Sequence, residues 1–206
     1  MSSIADALRG FGSATLGESG ALRMHHRIKP VWTGAVVAGP AITAKLGHAD
    51  NLAIHVAVAT NEVDGAVLVA DATNPPDYGY WGEVLTTGAE ARGIAGLVID
   101  GGCRDVAALE AHGFPVFSAL VALTGAAKEK GGTVAQTITA GDVAVSPGDW
   151  IVGDADGVVV IPSAVLDDVI AAAQARTEKE QQMFVDLRAG KTTIELLDLD
   201  PSGLDR

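Results

Sequence analysis

Glu83 is followed, after twenty intervening residues, by the adjacent pair Arg104-Asp105, and these three side chains carry most of the chemistry legible in the chain. Two carboxylates offer hard oxygen donors to a divalent cation, and Mg2+ needs only one or two of them because it keeps several of its waters. Arg104 adds a planar fork matched to a carboxylate or to an enolate oxygen. A cation beside an arginine is a means of stabilising an enolate, with a water available to move protons. Gly82, just ahead of Glu83, lets backbone approach a ligand closely, and the unpaired N–H groups of a helix starting there would favour a carboxylate. A plainer account fits the same residues: Asp105 as a helix N-cap, Glu83 as a first-turn partner of the helix dipole, Arg104 as a surface ion-pair residue. Topology alone leaves both open.

The elements around these residues decide whether they can meet. The apolar run 65–72 (GAVLVADA) suits a buried strand, as does 95–100 (AGLVID), and between them 82–92 (GEVLTTGAEAR) reads as a helix. If the two strands are parallel, their carboxyl ends share one edge of the sheet, where ligands of such sheets bind. Glu83 then lies in the first turn of the crossover helix, with Arg104 and Asp105 just beyond the second strand, after Gly101-Gly102-Cys103.

Outward from that unit, residues 3–9 form a short amphipathic helix and 10–20 a loop. Residues 36–46 are β-like, and Asp50 can cap a helix over 51–60. The loop 73–80, with two adjacent prolines, is turn chemistry. A helix over 105–112 and a strand over 115–120 follow. From 132 to 162 the pattern changes to short antiparallel strands, with 154–157 (DADG) a hairpin turn. Ser163 can cap a long helix over 164–189 closed by Gly190, and 191–206 is a tail or an arm onto a neighbour. One domain, 1–206, of α/β class is expected: a partly parallel sheet, an antiparallel second half and a long C-terminal helix.

Composition narrows the partners. A formal charge of −12 repels phosphate backbones, and no cluster of Lys and Arg interrupts it, so nucleic acid is excluded as a partner. An anionic substrate must therefore find positive charge concentrated locally. Hydrophobic residues at 48% and 25 glycines fit a compact core with tight turns, without an apolar run long enough for a membrane. The single cysteine excludes an internal disulfide framework, and MSSIADALRGFG lacks the pattern of a signal peptide, so a cytoplasmic protein is expected.

The acidic residue, twenty positions and Arg-Asp resemble the motif of class II pyruvate aldolases in the RraA-like family, of the 4-hydroxy-4-methyl-2-oxoglutarate/4-carboxy-4-hydroxy-2-oxoadipate aldolase type. The stretches AGPAITA (38–44), DNLAIH (50–55), GAVLVADA (65–72), GEVLTTGAEARGIAGLVIDGGCRD (82–105), GFPVFS (113–118) and VSPGDWIVGDADGVVVIP (145–162) are similar to that family, residues 82–118 most specifically. The resemblance implies a layered β/β/α domain, assembled as trimers or hexamers with sites at subunit interfaces. It implies that Asp105 binds Mg2+ or Mn2+ and that Glu83 holds metal-bound waters. Arg104 would bind the pyruvyl oxygen, and the backbone of Gly82, Glu83, Val84 and Leu85 the carboxylate. A glutamate from an adjacent subunit would join them, with Glu178 or Glu180 as candidates. The implied reaction is retro-aldol cleavage of 4-hydroxy-2-oxo acids to pyruvate, with oxaloacetate decarboxylation through the same enolate. The family also contains protein-binding regulators of ribonuclease activity. They typically carry Gly where this chain has Glu83, and an acidic residue where it has Ala108.

Other features carry less. Cys103 has no neighbouring His to activate it, and the histidines at 25, 26, 48, 55 and 112 lack metal-ligand spacing and are assigned structural or surface roles. Lys45 is the sole candidate for a Schiff-base lysine, and the charged run 176–182 is read first as a solvated helix face.

Overall fold

The structure, a computed structural model, describes residues 3–129 and 131–204. Its strands are β1 (Leu22–Arg23), β2 (Lys29–Pro30), β3 (Val37–Leu46), β4 (Ala66–Asp71), β5 (Gly79–Trp81), β6 (Ile94–Cys103), β7 (Val116–Val121), β8 (Gly132–Val134), β9 (Ile138–Ala140), β10 (Val143–Val145), β11 (Trp150–Gly153) and β12 (Val158–Ile161). The α-helices are α1 (Ile4–Glu18), α2 (Leu52–Ala59), α3 (Glu83–Glu90), α4 (Val106–His112), α5 (Leu166–Arg188) and α6 (Thr193–Leu196).

Every residue of β4 is buried, as expected of a strand covered on both faces. It pairs in parallel with β3 on one side and β6 on the other, and β6 pairs in parallel with β7. The main sheet runs β1-β12-β11-β3-β4-β6-β7-β2, with β5 beside β6 and β8 beside β3. The half formed by β11, β12 and β1 is antiparallel.

Period-two burial divides the core between the two faces of the parallel strands. Leu68, Ala70, Leu97 and Ile99 meet Ile54 and Val58 of α2, Leu85 and Ala89 of α3, and Leu109 of α4. On the opposite face Val67, Val69 and Val98 meet Ile138 and Ala140 of β9, Val145 of β10, Ile151 of β11 and Val160 of β12. Helix, sheet and sheet are thus stacked as the β/β/α layering requires. A third cluster joins Leu8 and Leu16 of α1 to Val169 and Ala173 of α5 over β11 and β12.

Four local expectations change. The N-terminal helix does not stop at residue 9: α1 reaches Glu18, broken at Gly12, where φ is +79°. Leu8 and Leu16 are both buried, so tertiary packing holds a glycine-interrupted segment helical on either side of the break. The glycine pair 101–102 is strand rather than loop, because β6 continues to Cys103 between β5 and β7. Ser163 lies in a 3-10 turn and makes no side-chain cap; its N–H donates to Asp149 Oδ1. The loop 73–80 ends in a strand, β5. The 154–157 turn does join β11 to β12 as a hairpin, closed by the Asp154 N–H donating to the Gly157 carbonyl. No helix among the described residues is long and apolar enough to cross a membrane.

Candidate active site

The parallel pairing of β4 with β6 sets the C-terminal ends of both strands on one edge, with Asp71 opposite Asp100. Strand β5 extends that edge. It pairs with the last residues of β6, Gly79 with Gly102 and Trp81 with Cys103, and the Arg104 N–H donates to the Trp81 carbonyl at 2.9 Å. The turn from β5 into α3 is thereby fixed against the end of β6, which brings Gly82 and Glu83 beside Arg104 and Asp105 across twenty residues of sequence.

Asp105 is not a side-chain N-cap of α4. Its backbone is left-handed, at φ 59° and ψ 37°, and its side chain makes no cap to that helix. Instead its Oδ2 accepts the N–H of Glu83, in the first turn of α3, at 3.1 Å. A left-handed Asp costs about 1–2 kcal/mol of backbone energy, so its surroundings must hold it there. Gly82 is part of that hold. Its φ of −171° is open to any residue, but a Cβ there would overlap Asp105 Oδ2 and sit 3.3 Å from Arg104 Cγ. Space, not backbone freedom, demands the glycine. Arg104 Nε lies 3.8 Å from Asp105 Oδ2, both side chains being about two-fifths exposed.

These groups share a cavity of about 260 Å3, lined by Gly79 to Gly82, Val84, Leu85, Arg104 and Asp105, and by Asn51, His55, Gly125, Ala126 and Lys128. The amides of Val84 and Leu85, in the first turn of α3, have no acceptor within the helix. Five of the expected residues thus line the cavity, Gly82, Val84, Leu85, Arg104 and Asp105, while Glu83 contributes its N–H to Asp105. The Glu83 carboxylate itself does not line the cavity. It is 57% exposed and lies 3.7 Å from His112 Nε2, whose Nδ1 is 2.9 Å from Glu90 Oε2. Glu178 and Glu180 are not at the cavity of their own chain. Glu178 accepts from Gln174 and Glu180 pairs with Arg176, all on α5.

A resident divalent cation fits this donor set in one way. Among the described residues no group of three or more His, Cys, Asp or Glu converges, so a closed protein cage is absent. The Asp105 carboxylate, however, sits in the space left by Gly82, has one oxygen oriented by the Glu83 N–H, and leaves Oδ1 without a hydrogen bond among the described residues. A hard cation that keeps most of its waters needs no more than one or two such carboxylates.

Asn51, His55 and Lys128 were not singled out as site residues by sequence. Asn51 and His55 stand four apart at the start of α2 and so share a face of that helix, the one signal that could have paired them. Lys128, in the loop after β7, offered no pattern. His55, assigned a structural or surface role with the other histidines, lines the cavity instead, whereas Cys103 and Lys45 fall where expected. Burial pushes the Cys103 thiol up, against reactivity. Lys45 is 61% exposed and 3.7 Å from Asp71, with none of the desolvation a Schiff-base lysine requires.

Comparison with known proteins gives concordant results. The family model described as RraA-like, Aldolase/RraA, matches residues 1–160. A protein of Halalkalibacterium halodurans, which carries the provisional name 4-hydroxy-4-methyl-2-oxoglutarate aldolase, is 34% identical over 178 residues, covering 86% of this chain and 80% of its own. Among solved structures, a Streptomyces coelicolor protein described as an unusual member of the RNase ES inhibitor RraA protein family superposes with a TM-score of 0.74 at 26% identity, covering 90% of this chain and 97% of the other. An uncharacterised protein of Pseudomonas syringae pv. tomato superposes with a TM-score of 0.79 at 23% identity, over 94% of this chain and 96% of the other, a likeness of fold alone.

Proposed function

Since the chain belongs to the RraA-like family, we propose that it is a divalent-metal-dependent lyase that cleaves 4-hydroxy-2-oxo acids to pyruvate and decarboxylates oxaloacetate. The observation that supports this most is the meeting of the Arg104 guanidinium, the Asp105 carboxylate and the first-turn amides of α3 at one cavity. A chain with a net charge of −12 gathers there the positive groups that a small anion needs.

Each group has a task in the retro-aldol step. The carboxylate of the 2-oxo acid is taken by the amides of Val84 and Leu85 at the positive end of α3. Arg104 holds the 2-oxo oxygen. As the bond between C3 and C4 breaks, its electron pair moves onto that oxygen to give pyruvate enolate, and the guanidinium stabilises the charge that develops. The C4 hydroxyl gives its proton to water as C4 becomes the carbonyl carbon of the departing fragment, and C3 of the enolate takes a proton from water to complete pyruvate. Mg2+ or Mn2+ would be held directly by Asp105, with Glu83 acting through water once its carboxylate, which lies toward His112, turns to the cavity, and when bound supplies Lewis acidity at the 2-oxo oxygen. Loss of CO2 from oxaloacetate gives the same enolate, so one site serves both reactions.

Purified protein is expected to release pyruvate from 4-hydroxy-4-methyl-2-oxoglutarate and from oxaloacetate in Mg2+ or Mn2+, to stop in chelator and to recover on readdition. Arg104→Ala and Asp105→Ala are each expected to lower kcat/KM by roughly 10²–10³-fold, the usual scale for one oxyanion-stabilising group. Turnover indifferent to chelator and to both substitutions would remove the reading. The likeness to a protein described as a member of an RNase ES inhibitor family supports a second one, a non-catalytic regulator that binds a ribonuclease. It predicts no turnover of either acid, and inhibition of an RNase E-type endonuclease that survives Asp105→Ala.

A further inference from the structure

Among the described residues Asn51 Oδ1 and His55 Nε2 are buried polar atoms without a hydrogen-bond partner, and both residues line the cavity that holds Arg104 and Asp105. An unmet buried polar atom costs about 1–3 kcal/mol, so two on one wall of one cavity call for an occupant. The chemistry of that occupant can be read from the partners already spent. The Asn51 amide nitrogen donates to the Tyr80 carbonyl at 2.7 Å, which fixes the amide orientation and leaves Oδ1 as an acceptor facing no donor. Whatever completes it must carry an O–H or N–H. Asn51 itself is only 4% exposed, and its own N–H donates to the Ala127 carbonyl, so it is held from both α2 and the loop after β7. One helical turn on, His55 is kept toward its neutral form by burial first and by the Lys128 ammonium second, with Asp50 opposing. A neutral imidazole can present Nε2 as a donor. An acceptor and a donor on adjacent turns match a single hydroxyl group, which gives one hydrogen bond and receives the other.

We propose that Asn51 and His55 form a hydroxyl-reading subsite, which receives the hydroxyl on C4 of the 2-oxo acid while Arg104 and the first-turn amides of α3 hold its oxo-carboxylate end. This rests on the lyase reading and adds to it the pair that selects a 4-hydroxy acid over a 2-oxo acid lacking that group. His55 acts as a specificity-determining residue: it fixes the hydroxyl from which the aldol proton departs. A site built around a hydroxyl rejects the analogue without one, because its own polar atoms are then left unpaired.

The test compares two substrates that share the enolate but differ in the hydroxyl. With wild type, His55→Phe and His55→Gln, kcat/KM is measured for 4-hydroxy-4-methyl-2-oxoglutarate and for oxaloacetate. His55→Phe is expected to lower the ratio of the two values by roughly tenfold or more, the scale of one lost hydrogen bond to substrate. His55→Gln, whose amide can still donate, should fall between. An unchanged ratio in both variants overturns the subsite. If wild type turns over neither acid, the lyase reading fails on its own, and titration calorimetry then decides the subsite. Tighter binding of 4-hydroxy-2-oxoglutarate than of 2-oxoglutarate by wild type, lost in His55→Phe, supports it. Equal binding of the two by wild type overturns it, whether or not the variants fold.

Discussion

At the scale of single residues, the site depends on one absent methyl group. Gly82 stands where a Cβ would collide with Asp105 Oδ2, and its extended backbone imposes no other need for glycine. Gly82→Ala therefore tests position without testing the fold. Moving the Asp105 carboxylate by about an ångström is expected to cost on the order of 10²-fold in kcat/KM. The melting temperature should stay within about 3 °C of wild type, because alanine adopts this backbone freely and the clash lies at an exposed side chain. Steady-state kinetics beside a thermal melt reads both. A large fall in stability would mean that the left-handed turn at Asp105 supports the fold and not the site. Part of this was legible in the sequence. A glycine before an acidic residue, then Arg-Asp twenty positions on, identified the groups. What escaped was how they touch, since the Asp105 side chain turns back to α3 instead of capping α4. Asn51 and His55 escaped too, because an Asn and a His four apart on an apolar helix look the same whether their polar atoms are satisfied or not.

Among the elements, the parallel strands were readable because their burial on both faces leaves continuous apolar runs, whereas α1 was not, because its glycines argue for a loop and its helical state depends on distant partners. Asp154 accepts the Ser13 N–H and hydroxyl, both at 2.6 Å, right after the break at Gly12, an anchor 141 residues away in sequence. The same kind of long-range tie joins the two layers of β-structure. Arg27 reaches Asp100 of β6 at 2.7 Å and Asp142, in the β9–β10 turn, at 2.7 Å. Asp100 is 3% exposed and also accepts the Gly141 N–H, so removing Arg27 leaves a buried carboxylate short of its cation. Arg27→Met is expected to destabilise the protein by about 2 kcal/mol, toward the low side for a broken buried pair because Arg27 is itself partly exposed. The pH dependence has a defined sign. Hydrogen bonding from Arg27 holds the Asp142 carboxyl below its ordinary value of 3.8. That contribution is complete above the ordinary value and is lost as pH falls through the lowered folded one. Urea unfolding at pH 7 and pH 3 should therefore show a gap between wild type and Arg27→Met that narrows in acid. A gap that widened would show the ion pair to be a burden.

For the whole molecule, the described chain looks unfinished around its cavity. Val84, on the cavity wall, is 84% exposed, and Val121, the last residue of β7, and Leu123, just beyond that strand, are 57% and 86% exposed. Val84 stands on the cavity wall itself and Leu123 two residues before Gly125, another wall residue, and exposed apolar side chains so placed offer a surface to another chain. A homo-oligomer whose subunits cover one another's cavities, with Glu178 or Glu180 reaching across, would use that surface. Among the described residues of its own chain Glu180 is engaged by Arg176, whereas Glu178, an exposed residue, meets only the neutral amide of Gln174, which makes Glu178 the better candidate. Subunit mixing tests this directly. Arg104→Ala and Glu178→Gln are each expected to be inactive as pure oligomers, by roughly 10²-fold or more for loss of a charged group at the reacting centre. In an oligomer reassembled from both, a cavity whose Arg104 comes from a Glu178→Gln chain and whose Glu178 comes from an Arg104→Ala chain has every group intact. Activity should return on mixing after dissociation and reassociation, toward about a quarter of the wild-type value if chains assort at random and each site draws on two of them. Sedimentation of the mixture must show the same mass as wild type. Recovery cannot arise if both groups come from one chain, because every site then carries at least one defect. A mixture that reassembles and stays inactive would place Glu178 outside its neighbour's cavity and return the search to residues on the same subunit as Arg104.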